Sequence, residues 1–156
     1  MVGPDSLRCC DLFVGLSDEE LAQVAAVGRE EAYAPGAVIC AEHGHAESLF
    51  VLQSGRVEVC IHLRSSASPD CCVTIEEIEP GKIFGWSSLV AQRRFTASVR
   101  ALEPVALIAL DSAKLSTLFD LNPHVGFVVM KQLAAVVASR LRGTRELMEG
   151  HPAGED

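Results

Sequence analysis

Apolar residues follow a helical period near both ends of the chain and an alternating period between them. Residues 17–25 open with the capping box Ser-Asp-Glu-Glu and continue with apolar residues spaced three and four apart. Ser112 is expected to cap a short helix, and Asn122-Pro123 to begin a long one that extends to about residue 148. The pattern therefore predicts an N-terminal helix, a β-rich middle and a long C-terminal helix.

Short runs of alternating apolar and polar residues fill the middle of the chain, and turn-forming pairs separate them. The pairs are Pro35-Gly36, Ser54-Gly55, Pro80-Gly81 and Glu103-Pro104. The segment 64–70, Arg-Ser-Ser-Ala-Ser-Pro-Asp, is expected to be a polar loop. About eight short strands result, and we predict an α+β, mainly β fold: an eight-stranded antiparallel β-jelly-roll barrel with an N-terminal helix and a long C-terminal helix.

Composition narrows the classes of protein and of partner. The chain has 156 residues, of which 49% are hydrophobic and 22% are charged, proportions typical of a single globular domain. A net charge of −8 argues against binding to nucleic acid or to an anionic membrane. No purely apolar run approaches the ~18–20 residues of a membrane span, and the N-terminus lacks the pattern of a signal peptide. We therefore expect a cytoplasmic protein.

Cysteine and histidine residues are the candidate metal or redox groups. Six cysteines include the vicinal pairs Cys9-Cys10 and Cys71-Cys72, but no Cys-x-x-Cys spacing occurs. In a reducing compartment we expect thiols with a structural role, and a redox or metal role is the alternative. His43 and His45 lie in a turn-like segment, where a solvated turn competes with a metal site. We predict no catalytic residue, no metal and no cofactor.

Several glycine turns and the runs around them occur in an order that resembles one known family. The matching residues are the turn glycines Gly36, Gly44 and Gly55, the run SLFVLQSGRVEV, and EPGKIFGW leading into TASVRALEPVALIALD. The chain resembles a cyclic nucleotide-binding domain, as found in the catabolite activator protein family and in protein kinase A regulatory subunits. The resemblance covers about residues 12–142, includes a dimerisation helix at about 123–148, and leaves 149–156 as a flexible tail.

Residues between Phe84 and Ala97 have the chemistry of a small-anion site. A short helix entered through FGWSS presents free backbone N–H groups at its first turn, and Gly85 lets a ligand approach the backbone closely. Serine hydroxyls and a nearby arginine add hydrogen-bond donors. The resemblance implies a phosphate-binding cassette here, with cyclic AMP (cAMP) or cyclic GMP (cGMP) as the possible ligand. The predicted ligand-binding residues are Phe84, Gly85, Trp86, Ser87, Ser88, Arg94, Phe95, Thr96 and Ala97.

Two positions depart from the cassette pattern of the resembled family, F-G-E-x-x-L followed by R-x-A-[ST]-V-[KR]-A. The glutamate that holds the ribose falls on Trp86, and the arginine that binds the phosphate falls on Phe95. Loss of the arginine contact weakens affinity roughly ten- to a hundredfold. Arg94, one residue earlier, is expected to take over the phosphate. The alternatives to a cyclic nucleotide are another small anion, an apolar ligand, or a closed pocket without a ligand.

The long C-terminal helix carries an apolar stripe wider than packing on one barrel requires. The residues predicted to form a homodimer interface are Val125, Val129, Leu133, Val136, Val137 and Leu141. In the resembled family this helix pairs with its twin and closes the ligand pocket. Packing on its own barrel or on an unknown partner is the alternative. Arg140, Arg142 and Arg145 are expected to suit the dipole at the helix end.

Together these observations predict a non-catalytic regulatory domain that senses a small ligand and signals through its C-terminal helix. The short polar end of the chain has no room for the helix-turn-helix domain of the family's transcription factors, so we expect no DNA binding. Output would then pass through a homodimer or an unknown protein partner, without a membrane. A ligand-free interaction scaffold is one alternative. A metal-dependent cupin-type enzyme is another, because His43 and His45 share part of the cupin metal pattern.

Overall fold

The structure is a computed structural model that describes residues 2–65, 68–90 and 94–149. Its helices are α1 (Asp18–Ala25), α2 (Ser112–Leu121) and α3 (Pro123–Met148). Its strands are β1 (Gly28–Tyr33), β2 (Val38–Cys40), β3 (Ser48–Ser54), β4 (Val57–Ser65), β5 (Ser68–Ile78), β6 (Ile83–Phe84), β7 (Ser98–Ala101) and β8 (Val105–Asp111). There are 3₁₀ helices at Pro4–Leu7, Asp11–Phe13 and Trp86–Leu89, and the last is named the pocket helix. All but the first residue of the predicted tail lies outside the described residues.

The strands form two antiparallel four-stranded sheets, ordered β1-β8-β3-β6 and β2-β7-β4-β5. The chain passes from one sheet to the other at nearly every connection, which is the connection pattern of a jelly roll. Inward-facing apolar residues of both sheets fill the space between them. The predicted fold class is confirmed, with a short helix before the strands and a long one after them.

The Ser54-Gly55 turn between β3 and β4 requires glycine. Gly55 has a φ of 85°, and a Cβ built on it would lie 2.3 Å from the carbonyl oxygen of Pro104. Because the clashing atom belongs to the backbone, no side-chain rotation relieves the contact. The two predicted turns, at Ser54-Gly55 and Glu103-Pro104, therefore pack directly against each other.

The predicted polar loop at 64–70 is wrong in its extent. Strand β4 continues to Ser65 and β5 begins at Ser68, and Leu63 is paired with Cys71. Antiparallel pairing uses backbone groups, so polar side chains can extend a two-stranded ribbon without marking its end in the sequence.

The first helix begins as predicted, but the cap of the helix after β8 differs. Ser17 Oγ accepts a hydrogen bond from the Glu20 amide at 3.1 Å, and the Ser17 amide donates to the Glu20 carboxylate at 3.0 Å. Asp111, rather than Ser112, caps α2 by accepting a hydrogen bond from the Lys114 amide at 3.0 Å. Asp and Ser are equally good N-cap residues, so the sequence alone does not choose between Asp111 and Ser112. Strand β8 ends at Asp111, and this places Asp111 at the N-cap of α2.

The first half of α3 is buried against the chain's own N-terminal segment. Val125 and Val129 are 0% exposed and Leu133 is 4% exposed, and all three pack with residues of the 4–13 segment in one core cluster. These residues, predicted to face a twin helix, have no surface free for one, so a homodimer must use other positions of α3. The covering segment gave no signal in the sequence because single 3₁₀ turns bury residues without repeating a spacing.

Helix α3 is also long and apolar enough over Pro123–Glu146 to match the profile of a membrane span. The expectation based on purely apolar runs missed this match, because a few charged residues interrupt the stretch. The core helices of soluble proteins match the same profile. In α3, 22% of the residues in the 18-residue stretch that matches are buried within the fold.

We predict that Gly55→Ala lowers the free energy of unfolding by at least about 2 kcal/mol, because a positive φ and a backbone clash add together. Gly36→Ala is the matched control: Gly36 has a φ of 86°, but no atom lies within 4 Å of the position that a Cβ would take there. In Gly36→Ala the free energy of unfolding should fall by only about 1–2 kcal/mol, which is the cost of a positive φ for a residue with a Cβ. Urea denaturation compares the two variants, and equal losses would show that the turns separate to admit a methyl group.

Candidate functional site

A cavity of about 240 Å³ lies where the pocket helix, strands β4 to β7 and the second half of α3 meet. Its wall is largely apolar, with Phe84, Phe95 and Val99 from the barrel. Val137, Leu141 and other residues of α3 close it on the opposite side. The long helix is therefore one wall of the cavity as well as part of the core.

Seven of the nine predicted ligand-binding residues line this cavity, and two do not. Those that line it are Phe84, Gly85, Trp86, Ser87, Phe95, Thr96 and Ala97. Ser88 and Arg94 lie outside its wall. The fold thus brings together the two sequence segments on either side of residues 91–93.

Gly85 shapes the backbone at the entrance to the pocket helix. Its φ is 78°, and a Cβ there would lie 2.8 Å from Cδ2 of Phe50. Ser88 closes the same turn, since its hydroxyl donates to the Gly85 carbonyl at 3.0 Å and the residue is 1% exposed. The predicted donor role of Ser88 is therefore corrected to a structural one. Ser87, also buried, is the serine that faces the cavity.

Arg94, which was expected to take over the phosphate, has its side chain away from the cavity. Its backbone bridges to His45, and its Nη1 donates to the carbonyl oxygen of His43 at 3.0 Å, with the side chain exposed. Phe95 follows with its amide bonded to the Gly44 carbonyl at 3.0 Å and its ring 9% exposed in the core. Successive residues of extended backbone face opposite sides, so an inward Phe95 requires an outward Arg94.

Arg140 of α3 is among the cavity residues that the sequence did not indicate, together with Val59, Ile75, Glu76, Val99 and Thr144. Its guanidinium carbon lies 4.7 Å from the centre of the Trp86 ring, and its Nε lies 3.2 Å from the Glu76 carboxylate. Its Nη2 donates to the carbonyl oxygen of Ile83, while the buried Nη1 has no hydrogen-bond partner. The predicted role at the helix end is thus corrected to a contact inside the cavity. The sequence did carry one sign of this contact: Arg140 is a charged residue four positions after Val136, on the apolar face of the helix.

Burial has the largest effect on the pKa values of Arg140 and Glu76. Desolvation lowers the pKa of Arg140, and the nearby Glu76 carboxylate only partly offsets that effect. Desolvation likewise raises the pKa of Glu76, against the attraction of Arg140. Among the described residues of the cavity wall, Arg140 and Glu76 are the charged ones, and they are paired with each other. Ion pairs in such surroundings gain little over their desolvation.

The two histidines considered for metal binding are exposed in the turn before β3. His43 has a φ of 69°, and neither His43 nor His45 is among the described residues of the cavity wall. Within residues 2–65, 68–90 and 94–149, no three His, Cys, Asp or Glu side chains converge on one point. The pattern shared with cupins therefore does not coincide with the cavity.

Comparison with known proteins gives a consistent set of relatives. The model of the cyclic nucleotide-binding domain matches residues 30–122. Glutaminase 2 of Bradyrhizobium diazoefficiens is 32% identical over 130 residues, which are 83% of this chain and 19% of that protein. A solved protein of Geobacter metallireducens, classed as cyclic nucleotide-binding, is 34% identical with a TM-score of 0.77, over 90% of this chain and 99% of that one. The catabolite activator protein of Thermus thermophilus is 27% identical with a TM-score of 0.73, over 89% and 62% of the two chains.

These matches differ in how much of each protein they include. The chain spans between 14% and 20% of the length of the curated relatives it matches. The family match runs from within β1 to the residue after α2, so it contains nearly all of the barrel and the pocket helix but not α3. Arg140 lies beyond it, in the part of the chain that this match leaves out.

The single tryptophan, Trp86, makes the contact with Arg140 measurable. We predict that Arg140→Ala shifts the fluorescence maximum to longer wavelength, because the ring loses the guanidinium that covers it. Arg142→Ala is the control, since Arg142 is exposed on the same helix. An unchanged emission maximum in Arg140→Ala would show that the guanidinium does not cover the ring in solution.

Proposed function

The chain belongs to the cyclic nucleotide-binding domain family, and we propose that it is a regulatory domain that senses a small ligand in the cavity beside Trp86 and signals through α3. The observation that carries this proposal is the shared wall: Val137, Arg140 and Leu141 of α3 line the same cavity as the pocket helix. A ligand that enters must contact α3. Filling the cavity therefore changes the forces on that helix directly.

Helix α3 is suited to transmit such a change because its two halves are held differently. The first half is fixed in the core through Val125, Val129 and Leu133. The second half, from about Val137 onward, faces the cavity and solvent. A ligand can then tilt the second half about the first without breaking the core.

Cyclic nucleotides are the first candidate ligands because the family is defined by them. The cavity, about 240 Å³, is smaller than the ~300–1,000 Å³ typical of ligand pockets. A whole nucleotide would therefore require α3 to move outward, which favours coupling between binding and helix position. A base that stacks on Trp86, in place of a carboxylate for the ribose, requires the part of the ring that Arg140 leaves uncovered. A different small anion or an apolar ligand is the second candidate.

A second copy of the chain is the proposed partner of α3. The helix presents a seam of residues spaced alternately three and four apart, the spacing of a two-stranded coiled coil. The seam consists of Phe127, Met130, Ala134, Val137, Leu141, Thr144 and Met148. Phe127 is 65% exposed and Leu141 is 60% exposed, on a different face from the core residues. Leu141 and Thr144 also line the cavity, so dimerisation and ligand binding share residues.

The remaining parts of the proposal concern setting and output. We place the domain in the cytoplasm and assign it no catalytic step of its own. Its output passes through the dimer or through a further protein, and neither DNA nor a membrane is the proposed target. The net charge of −8 supports that choice.

Calorimetric titration with cAMP and cGMP tests the ligand. We expect binding heat with the wild-type chain and none with Ala97→Phe, because the added ring fills the cavity that Ala97 lines. Arg94→Ala is the matched control and should bind normally, since Arg94 points to solvent. Absence of heat with both nucleotides would remove them as ligands. Hydrogen exchange of the backbone amides of residues 137–148 is measured with and without ligand. Equal exchange rates in the two states would contradict signalling through α3.

Analytical ultracentrifugation tests the homodimer. We expect the wild-type chain to sediment as a dimer and Phe127→Glu to sediment as a monomer, because a charge in the seam has no partner in the facing helix. Leu121→Glu is the control, since Leu121 is 80% exposed on α2 and outside the seam. A monomeric wild-type chain at high concentration would contradict the proposed interface.

A further inference from the structure

We propose that Arg140 is the anion-binding residue of the cavity, and that the ligand is an organic anion whose acidic group replaces Glu76 as the partner of the guanidinium. This inference rests on the proposed function, since it requires that the cavity holds a ligand. It names the chemical class of that ligand and the residue that selects it.

The guanidinium of Arg140 has a free position for such a group. Five N–H donors belong to an arginine, and here Nε contacts Glu76 at 3.2 Å while Nη2 contacts the Ile83 carbonyl. The Nη1 atom is buried without a partner. A carboxylate or phosphate in place of Glu76 can accept from Nε, and the N–H groups of Nη1 can donate to a second acceptor of the ligand.

Glu76 is placed so that it can give way to the ligand. Its side chain is 35% exposed, against 12% for that of Arg140. It also lines an open groove between β5 and α3, and the Glu76–Arg140 pair borders both that groove and the cavity. Burial raises the pKa of Glu76, so loss of its charge or rotation into the groove is favoured when a second anion arrives. Arg140 borders the same groove but is held more firmly, because Trp86 covers its guanidinium and the Ile83 carbonyl accepts from its Nη2.

The rest of the wall defines the body of the ligand. Phe84, Phe95 and Val99 form an apolar surface, and Ser87 and Thr96 add hydroxyl groups near its edge. Inorganic phosphate alone would leave this apolar surface uncovered, so it satisfies only part of the site. An acid carried on an apolar or aromatic body satisfies both parts. Because the cation comes from α3, the anion also binds that helix to the barrel.

The experiment compares each anion with a neutral counterpart of similar shape. The probes are cAMP against adenosine, and 2-naphthoate against 2-naphthamide, with inorganic phosphate as a third anion. Binding is followed by calorimetry and by the emission of Trp86. We expect wild-type protein to bind an anion roughly ten- to a hundredfold more tightly than its counterpart. Arg140→Gln should abolish that preference, and Arg140→Lys should retain part of it.

Two further variants keep the test decisive if Arg140→Gln does not fold. Glu76→Gln removes the internal competitor and should strengthen anion binding roughly tenfold. Arg142→Gln, at an exposed position on the same helix, should change nothing. Binding without preference for the anion, or a preference that survives in Arg140→Gln, would overturn this inference and leave the proposed ligand cavity intact. No heat and no change of Trp86 emission with any probe would overturn this inference and the proposed ligand cavity as well.

Discussion

The burial of the first half of α3 is the constraint on which the rest of the structure depends. Val125, Val129 and Leu133 tie the helix to the same core that holds α1 and the N-terminal segment. Gly126 lets α2 approach closely, since a Cβ there would lie 2.9 Å from the Cβ of Phe119. With its start fixed in this way, the direction of the helix carries its second half across the cavity. The site therefore exists only when the core has formed.

Two ion pairs in this fold show how differently burial acts on charge. Between β4 and β7, Arg100 Nε donates to Glu58 at 2.9 Å and Thr74 adds a second donor at 2.9 Å. Those hydrogen bonds lower the pKa of Glu58, so the pair stabilises the charged forms and joins two strands. Between Arg140 and Glu76 desolvation prevails over attraction, and both groups shift towards their neutral forms. The first pair stabilises the barrel, whereas the second remains able to exchange partners.

Helix α3 has two apolar faces: one serves the core, and the other lines the cavity and carries the proposed dimer seam. Residues 125, 129, 133, 136 and 140 follow one face, which ends at the buried guanidinium. The seam follows another, and it reaches the cavity through Val137, Leu141 and Thr144. Because the seam and the cavity wall share Val137, Leu141 and Thr144, the proposed signal would reach the seam without passing through the barrel.

The sequence by itself determined the fold class, the glycine turns and seven of the fifteen described residues of the cavity wall. Glycine turns, strand alternation and a capping box are local signals, and each depends only on residues close together in the chain. Which arginine enters the cavity depended on the tertiary structure. Extended backbone at Phe95 turns Arg94 outward, and packing of α3 brings Arg140 across from a distant segment. The division of α3 between core and seam was likewise decided by the N-terminal 3₁₀ turns, because only contact in space shows which face of a helix is covered.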